Sequence, residues 1–334
     1  MDKEFKSYNQ QMKRLRDVKH MKCEGSEDKA ILARNGYFNL VNGYKTPFVT
    51  GRDVQGNHIY YPNTSLKQFY ALKTFDDNLR MLLLKYITTV EENVRTLTGY
   101  KFDECNNNGA VPWFDTTAYD PNSRVQFRMN TISSAYNELS KSRLEYVKFY
   151  MDHHENIPTW IMIKVVDFST FIDVLQYSKR TVRHAICELF DIKDPNGHYD
   201  VKLLIGSLHW MRKVRNACAH NERVYCLAQD QNSTPRSSGR IYDKYILQLR
   251  PSYRSETSKR VFDIIVYFKY FLPEKEYHLF LNDFKVLLLN LKGSIVDQAF
   301  QRVRAQLGIK ELEDLDILEQ LPKTKIEYNK FDRM

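Results

Sequence analysis

The sequence predicts a mostly α protein. Three observations carry this. Apolar residues recur at helical spacing over most of the 334 residues, and the longest such run opens on the capping pattern Ser65-x-x-Gln68. No stretch sustains the two-residue alternation of a strand. The expected organisation is a small N-terminal unit over 1–64, a helical bundle over 65–290 and a C-terminal helical extension over 291–334.

Taken in order, Lys6 to Asn42 holds two short helices, a charged one over Tyr8–Val18 and one carrying Ile31, Leu32, Phe38 and Leu40. Gly43 to Asn63 reads as a loop or small hairpin, because Gly51, Gly56, Asn57 and Pro62 punctuate β-friendly residues. From Ser65 to Gly99 the positions of Phe69, Leu72, Leu79, Leu83, Tyr86, Val90 and Val94 keep a helical period. Asn122–Asp152 is expected to form a second long helix, and Pro158 to open a third carrying Trp160, Ile161, Val165, Phe168, Phe171 and Leu175. That third helix is apolar over much of its circumference, so it belongs in the middle of the bundle. A short helix over Thr181–Phe190 ends before the turn Asp194–Gly197, and Gln229–Arg240 reads as a loop. Helices over Ser255–Phe271 and Glu276–Leu291 follow, then an amphipathic one with Ile309, Leu312, Leu315 and Leu318.

Hydrophobic residues make up 43% of the chain and charged ones 27%, which places it among globular proteins. The net charge of +9 favours a polyanion as partner through nonspecific attraction. Five cysteines (Cys23, Cys105, Cys187, Cys218 and Cys226) are widely spaced and lack a Cys-x-x-Cys, so they read as free thiols in a reducing cytoplasm. The start of the chain has no apolar signal region, and the most apolar segment, Val261–Leu272, is too short to span a bilayer. Glycine-rich phosphate loops and Gly-x-Ser-x-Gly are missing, which disfavours nucleotide hydrolases and α/β hydrolases. No cofactor and no metal site is expected. The Asp152-His153-His154-Glu155 cluster precedes Pro158 and reads as an exposed turn.

The chemistry concentrates in Leu203–Tyr225, LLIGSLHWMRKVRNACAHNERVY, where Leu204, Leu208, Met211 and Cys218 share one helical face. Arg215 projects onto that face, where a guanidinium requires an anionic partner. Asn216 and His220 are four residues apart and share a side, whereas Arg215 and His220 diverge by about 140°. For both to act on one phosphate, the helix must end near His220 or a second subunit must complete the site. An arginine fork with a proton-moving histidine suits phosphodiester cleavage. The rival reading pairs Arg215 with a buried carboxylate and makes His220 a helix cap beside the dipole.

Arg215-Asn216-x-x-Ala219-His220-Asn221 resembles the Arg-x4-His signature of HEPN-domain ribonucleases. Ile157-Pro158-Thr159-Trp160 with Phe168-Ser169, and Gly36-Tyr37-Phe38-x-x-Val41-Asn42-Gly43-Tyr44-Lys45-x-Pro47-Phe48, resemble the Abi-like proteins of bacterial abortive infection, the AbiD/AbiF group. The likeness runs from about Lys6 to about Tyr225. It implies a HEPN-like helical bundle and a metal-independent endoribonuclease acting in phage defence, with Arg215, Asn216 and His220 as the catalytic set. It implies a homodimer whose two Arg215/His220 sets face one cleft. It also brings Glu91 and Arg95 forward as cleft-facing residues, against the plainer reading of an exposed i,i+4 ion pair. Arg124, Arg128, Lys141, Arg143 and Lys148 are candidate RNA-backbone contacts on an otherwise solvated face. The alternative from another class is an RNA-binding module, non-catalytic or repressed, that recognises a structured small noncoding RNA. A third reading is a protein-only scaffold.

Overall fold

A computed structural model describes residues 4–229 and 243–333, so the expected loop lies from residue 230 onward outside the described residues. The chain is mostly α, with one two-stranded sheet among the described residues.

Helix α1 (Tyr8–Asp17) starts where the Ser7 hydroxyl accepts the Gln10 N–H and the Gln10 side chain accepts the Ser7 N–H. Helix α2 (Gly25–Asn35) stops at Gly36, whose φ of +73° is open to glycine at little cost. Phe38 and Leu40, expected on the same helix, sit instead in a separate π turn over Phe38–Asn42. Strands β1 (Val49–Arg52) and β2 (His58–Tyr60) form an antiparallel hairpin, one of the two forms expected for this stretch.

Helix α3 (Leu66–Cys105) is 40 residues long, about 60 Å at the α-helical rise. Ser65 caps it by accepting the Gln68 N–H. It runs past the expected end at Gly99, which is buried and faces Ile163. Around it pack α6 (Thr159–Val165), α8 (Arg180–Leu189), α9 (Val201–Ala219) and α11 (Glu274–Lys292).

Two expected helices are broken. The second long helix is split into α4 (Val125–Lys141) and α5 (Glu145–His153), because Ser142 and Leu144 take extended backbone and the Ser142 hydroxyl accepts the Leu144 N–H. The helix opened by Pro158 is likewise α6 followed by α7 (Phe168–Tyr177). Asp167 starts α7 afresh by accepting the Thr170 N–H, and its own N–H goes to Glu138 Oε2 at 2.5 Å. Ile161, Phe171 and Leu175 are buried as expected, but Trp160 is 56% exposed.

Helix α10 (Val261–Phe271) is buried on every side, starting later than the expected Ser255. Its Lys269 donates to the Leu318 carbonyl at 2.7 Å, and burial lowers its pKa to about 8. Helix α12 (Asp297–Leu307) was not anticipated from periodicity, whereas α13 (Glu313–Gln320) buries Leu315 and Leu318 of the expected amphipathic stretch. No described helix is long and apolar enough to cross a membrane.

Candidate functional site

Helix α9 stops at a defined place. Asn221 adopts φ +57°, the left-handed conformation asparagine tolerates best among residues with a side chain, and the Glu222 N–H then reaches back to the Ala217 carbonyl. His220 is the C-cap, exposed, and its N–H bonds the Asn216 carbonyl at 2.9 Å.

The chain leaving His220 is tied down by α3. Asp76 is fully buried and uses both oxygens: Oδ1 accepts the N–H groups of Val224 and Tyr225, and Oδ2 accepts the Tyr44 hydroxyl and Arg80 Nη1. Arg80 also donates to the Glu222 carbonyl at 3.1 Å. Sequence reading missed both residues. Their signal was an Asp and an Arg at i,i+4 inside the longest apolar stripe, where charges require buried partners.

Arg215 begins on the buried face of α9 but is 39% exposed at its side chain, because it reaches out of the core toward α3. Its Nε lies 3.8 Å from Glu91 Oε2, and its Nη1 donates to Asn216 Oδ1 at 3.3 Å. Glu91 and Arg95 are not an exposed pair. Both are nearly buried, with Arg95 Nε and Nη2 on Glu91 Oε1 at 3.1 and 2.7 Å. Nη1 of Arg95 meanwhile takes the Ile163 and Val166 carbonyls at 2.5 and 2.9 Å, at the joint between α6 and α7, and its guanidinium stands 4.9 Å from the Phe171 ring. Glu91 Oε2 accepts no hydrogen bond among the described residues.

These three residues wall a cavity of about 660 Å³, with Trp160, Lys164 and Asp167 at its α6–α7 side. His220 and Asn216 do not line it. The structure thus joins Arg215 to Glu91 and Arg95 and sets His220 at the helix end. Trp160 and Lys164 were missed as cavity residues because helical periodicity assigned Trp160 to the core.

The five basic candidates lie elsewhere. Arg124 is exposed at the start of α4, and Arg128 is half-buried and donates to the Thr116 carbonyl. Lys141, Arg143 and Lys148 are exposed around the break between α4 and α5. His153 and His154 end α5 exposed, against the Phe149 and Tyr150 rings. Among the described residues no group of three or more His, Cys, Asp or Glu is placed to hold a metal. All five cysteines are free, and burial pushes the Cys218 thiol up to about 12, so it is no nucleophile at neutral pH.

The sequence model for the Abi-like protein family matches residues 30–226, more than half of the chain. That span runs from the middle of α2 through the cavity to the segment held by Asp76. No curated protein and no solved structure matches the chain.

Proposed function

The chain belongs to the Abi-like protein family, and from that premise we propose that it is an abortive-infection endoribonuclease of HEPN type that needs no metal. Arg215 supports this most directly. It is a guanidinium that is half open to solvent at the wall of a cavity and held by a carboxylate 3.8 Å away, beyond hydrogen-bond contact. Such an arginine keeps its remaining donors for phosphate oxygens and stabilises the charge that builds on them during attack by the 2′-hydroxyl. His220, exposed at the helix end, takes the hydroxyl proton or protonates the leaving oxygen. Asn216 holds Arg215 through its side chain and His220 through its carbonyl. The product ends are 2′,3′-cyclic phosphates.

His220 lies off the cavity that Arg215 lines, so a homodimer that brings one copy's His220 to the other's Arg215 completes the set. The same divergence favours the second reading, a binding module for a structured small noncoding RNA. In that case the five exposed or half-exposed cations on and around α4 and α5 are phosphate contacts. Free thiols suit a cytoplasmic setting.

Incubation of the wild type and of His220→Ala with total bacterial RNA in EDTA tests the enzyme. Cyclic-phosphate ends made by the wild type alone support it. Equal RNA retention by both proteins without cleavage removes the enzyme and leaves the module.

A further inference from the structure

Beyond the end of α9 the chain opens a second cavity, of about 690 Å³, walled by the end of α2, the π turn over Phe38–Asn42, α3 and residues 221–228. Asn221 and Glu222, which follow His220, line it. Arg215 lies about 9 Å back along the helix axis, at six residues of α-helical rise, and lines the first cavity. The C-terminal end of α9 therefore separates two hollows, with His220 between them in the chain.

The lining has a distinct chemistry. Phe38 is 75% exposed at the rim, although Leu40 and Val41 of the same π turn are fully buried. A ring left in water forgoes its transfer free energy, and π turns concentrate at functional sites. Asn39, Asn42 and Asn221 bring amides, and Arg34 and Arg223 bring guanidinium groups. Lys73 and Arg80 also reach the cavity, but Asp77 and Asp76 hold them. The four cations thus face Glu222, Asp76 and Asp77, leaving a surplus of one positive charge. That is too little for a cluster of phosphates. An aromatic face for stacking, amides able to meet a base edge, and arginines for one flanking phosphate are what a nucleobase requires.

We propose that this cavity is a base-binding subsite for single-stranded RNA, in which Phe38 stacks on the base beside the bond offered to Arg215 and His220. It rests on the ribonuclease reading for the identity of that bond. The Gly36–Phe48 stretch, so far without a role, then carries the reader of the strand, and Tyr44 anchors it to Asp76 at 3.0 Å.

The test uses the full chain carrying His220→Ala, so that no cleavage intervenes, in EDTA at moderate salt. Probes are a labelled single-stranded RNA of about twelve nucleotides and the same sequence as a duplex. Phe38→Ala is expected to weaken single-strand binding about fivefold or more while duplex binding holds, and Phe38→Trp to restore it to within about twofold. Equal affinity of Phe38→Ala for the single strand, or equal loss on both probes, overturns the subsite, as does capture of a protein by Phe38 without any RNA dependence. Two outcomes separate the subsite from the catalytic reading. A wild type that cuts nothing while Phe38 governs single-strand binding keeps the subsite and removes the catalysis. A wild type and a Phe38→Ala variant that cut and bind alike keep the catalysis and remove the subsite. No binding of either probe removes both.

Discussion

The Nε of Arg215 stands 3.8 Å from Oε2 of Glu91, whose other oxygen is taken by Arg95. One carboxylate therefore meets one arginine sealed in the core and one that is half open. The open one is free to change partners when an anion enters the cavity.

Arg215→Ala is accordingly expected to lower RNA cleavage by about 100-fold or more, while shifting unfolding free energy by less than about 1 kcal/mol, as for exposed ion pairs. Arg215→Lys should recover little, since an ammonium lacks the planar fork. End-labelled RNA kinetics alongside urea unfolding check this. Equal cleavage by the alanine variant would remove Arg215 from the chemistry.

Arg95 should behave in the opposite way. Its alanine variant leaves the Glu91 carboxylate nearly buried and the Ile163 and Val166 carbonyls without their donor. A stability loss of about 3–5 kcal/mol is expected, read as a lower urea midpoint with unchanged slope. A variant as stable as the wild type would mean that this pair does not hold the α6–α7 joint.

Asp76→Ala tests the tether behind His220. Val224 and Tyr225 lose the acceptor of their N–H groups, so their amide hydrogens should exchange faster than those of mid-α3, and global stability should fall by about 3–5 kcal/mol. Unchanged protection at those two amides would count against the tether.

Asp191 gives a pH dependence. Burial opposes its charge, but hydrogen bonds from Lys244, Thr324 and Lys193 outweigh burial together and hold the carboxyl at about 2. A carboxyl lowered in the folded state adds stability that is full above its unfolded value of about 4 and is lost as the pH falls to about 2. Allowing for solvent screening at this partly exposed site, Asp191→Asn should cost on the order of 1 kcal/mol at pH 7. The gap between variant and wild type should close between about pH 4 and 2. Thermal melts across that range decide, and a gap that stays constant with pH refutes the ionic cause.

Local sequence signals located what local forces decide. The Ser65 cap, the hairpin turn and the apolar period of α3 were legible because each depends on neighbours in the chain. The break at Val166–Asp167 was missed although Asp167 is a capping residue type, because the apolar run on both sides of it masks the cap. The other groups that hold the break are distant in sequence: Arg95 donates to the Ile163 and Val166 carbonyls, and Glu138 accepts the Asp167 N–H. Arg215, Asn216 and His220 could be singled out from one stretch, together with the alternative of a helix that ends near His220 or a second subunit that completes the site. Their relation to Glu91 could not, because it depends on which face of α3 meets α9. Trp160 was read inward for the same reason: a seven-residue helix is too short for its period to distinguish a rim from a core.

The length of α3 has a further consequence. Asp76 and Arg80 serve one hollow from its first half, and Glu91 and Arg95 serve the other from its second half. A single residue inserted between Arg80 and Glu91 would turn the second set by about 100° relative to the first and aim Glu91 away from Arg215. The helix therefore keeps the two hollows in phase, and the spacing of eleven residues from Arg80 to Glu91, close to three full turns, is a dimension that this fold can vary only by whole turns.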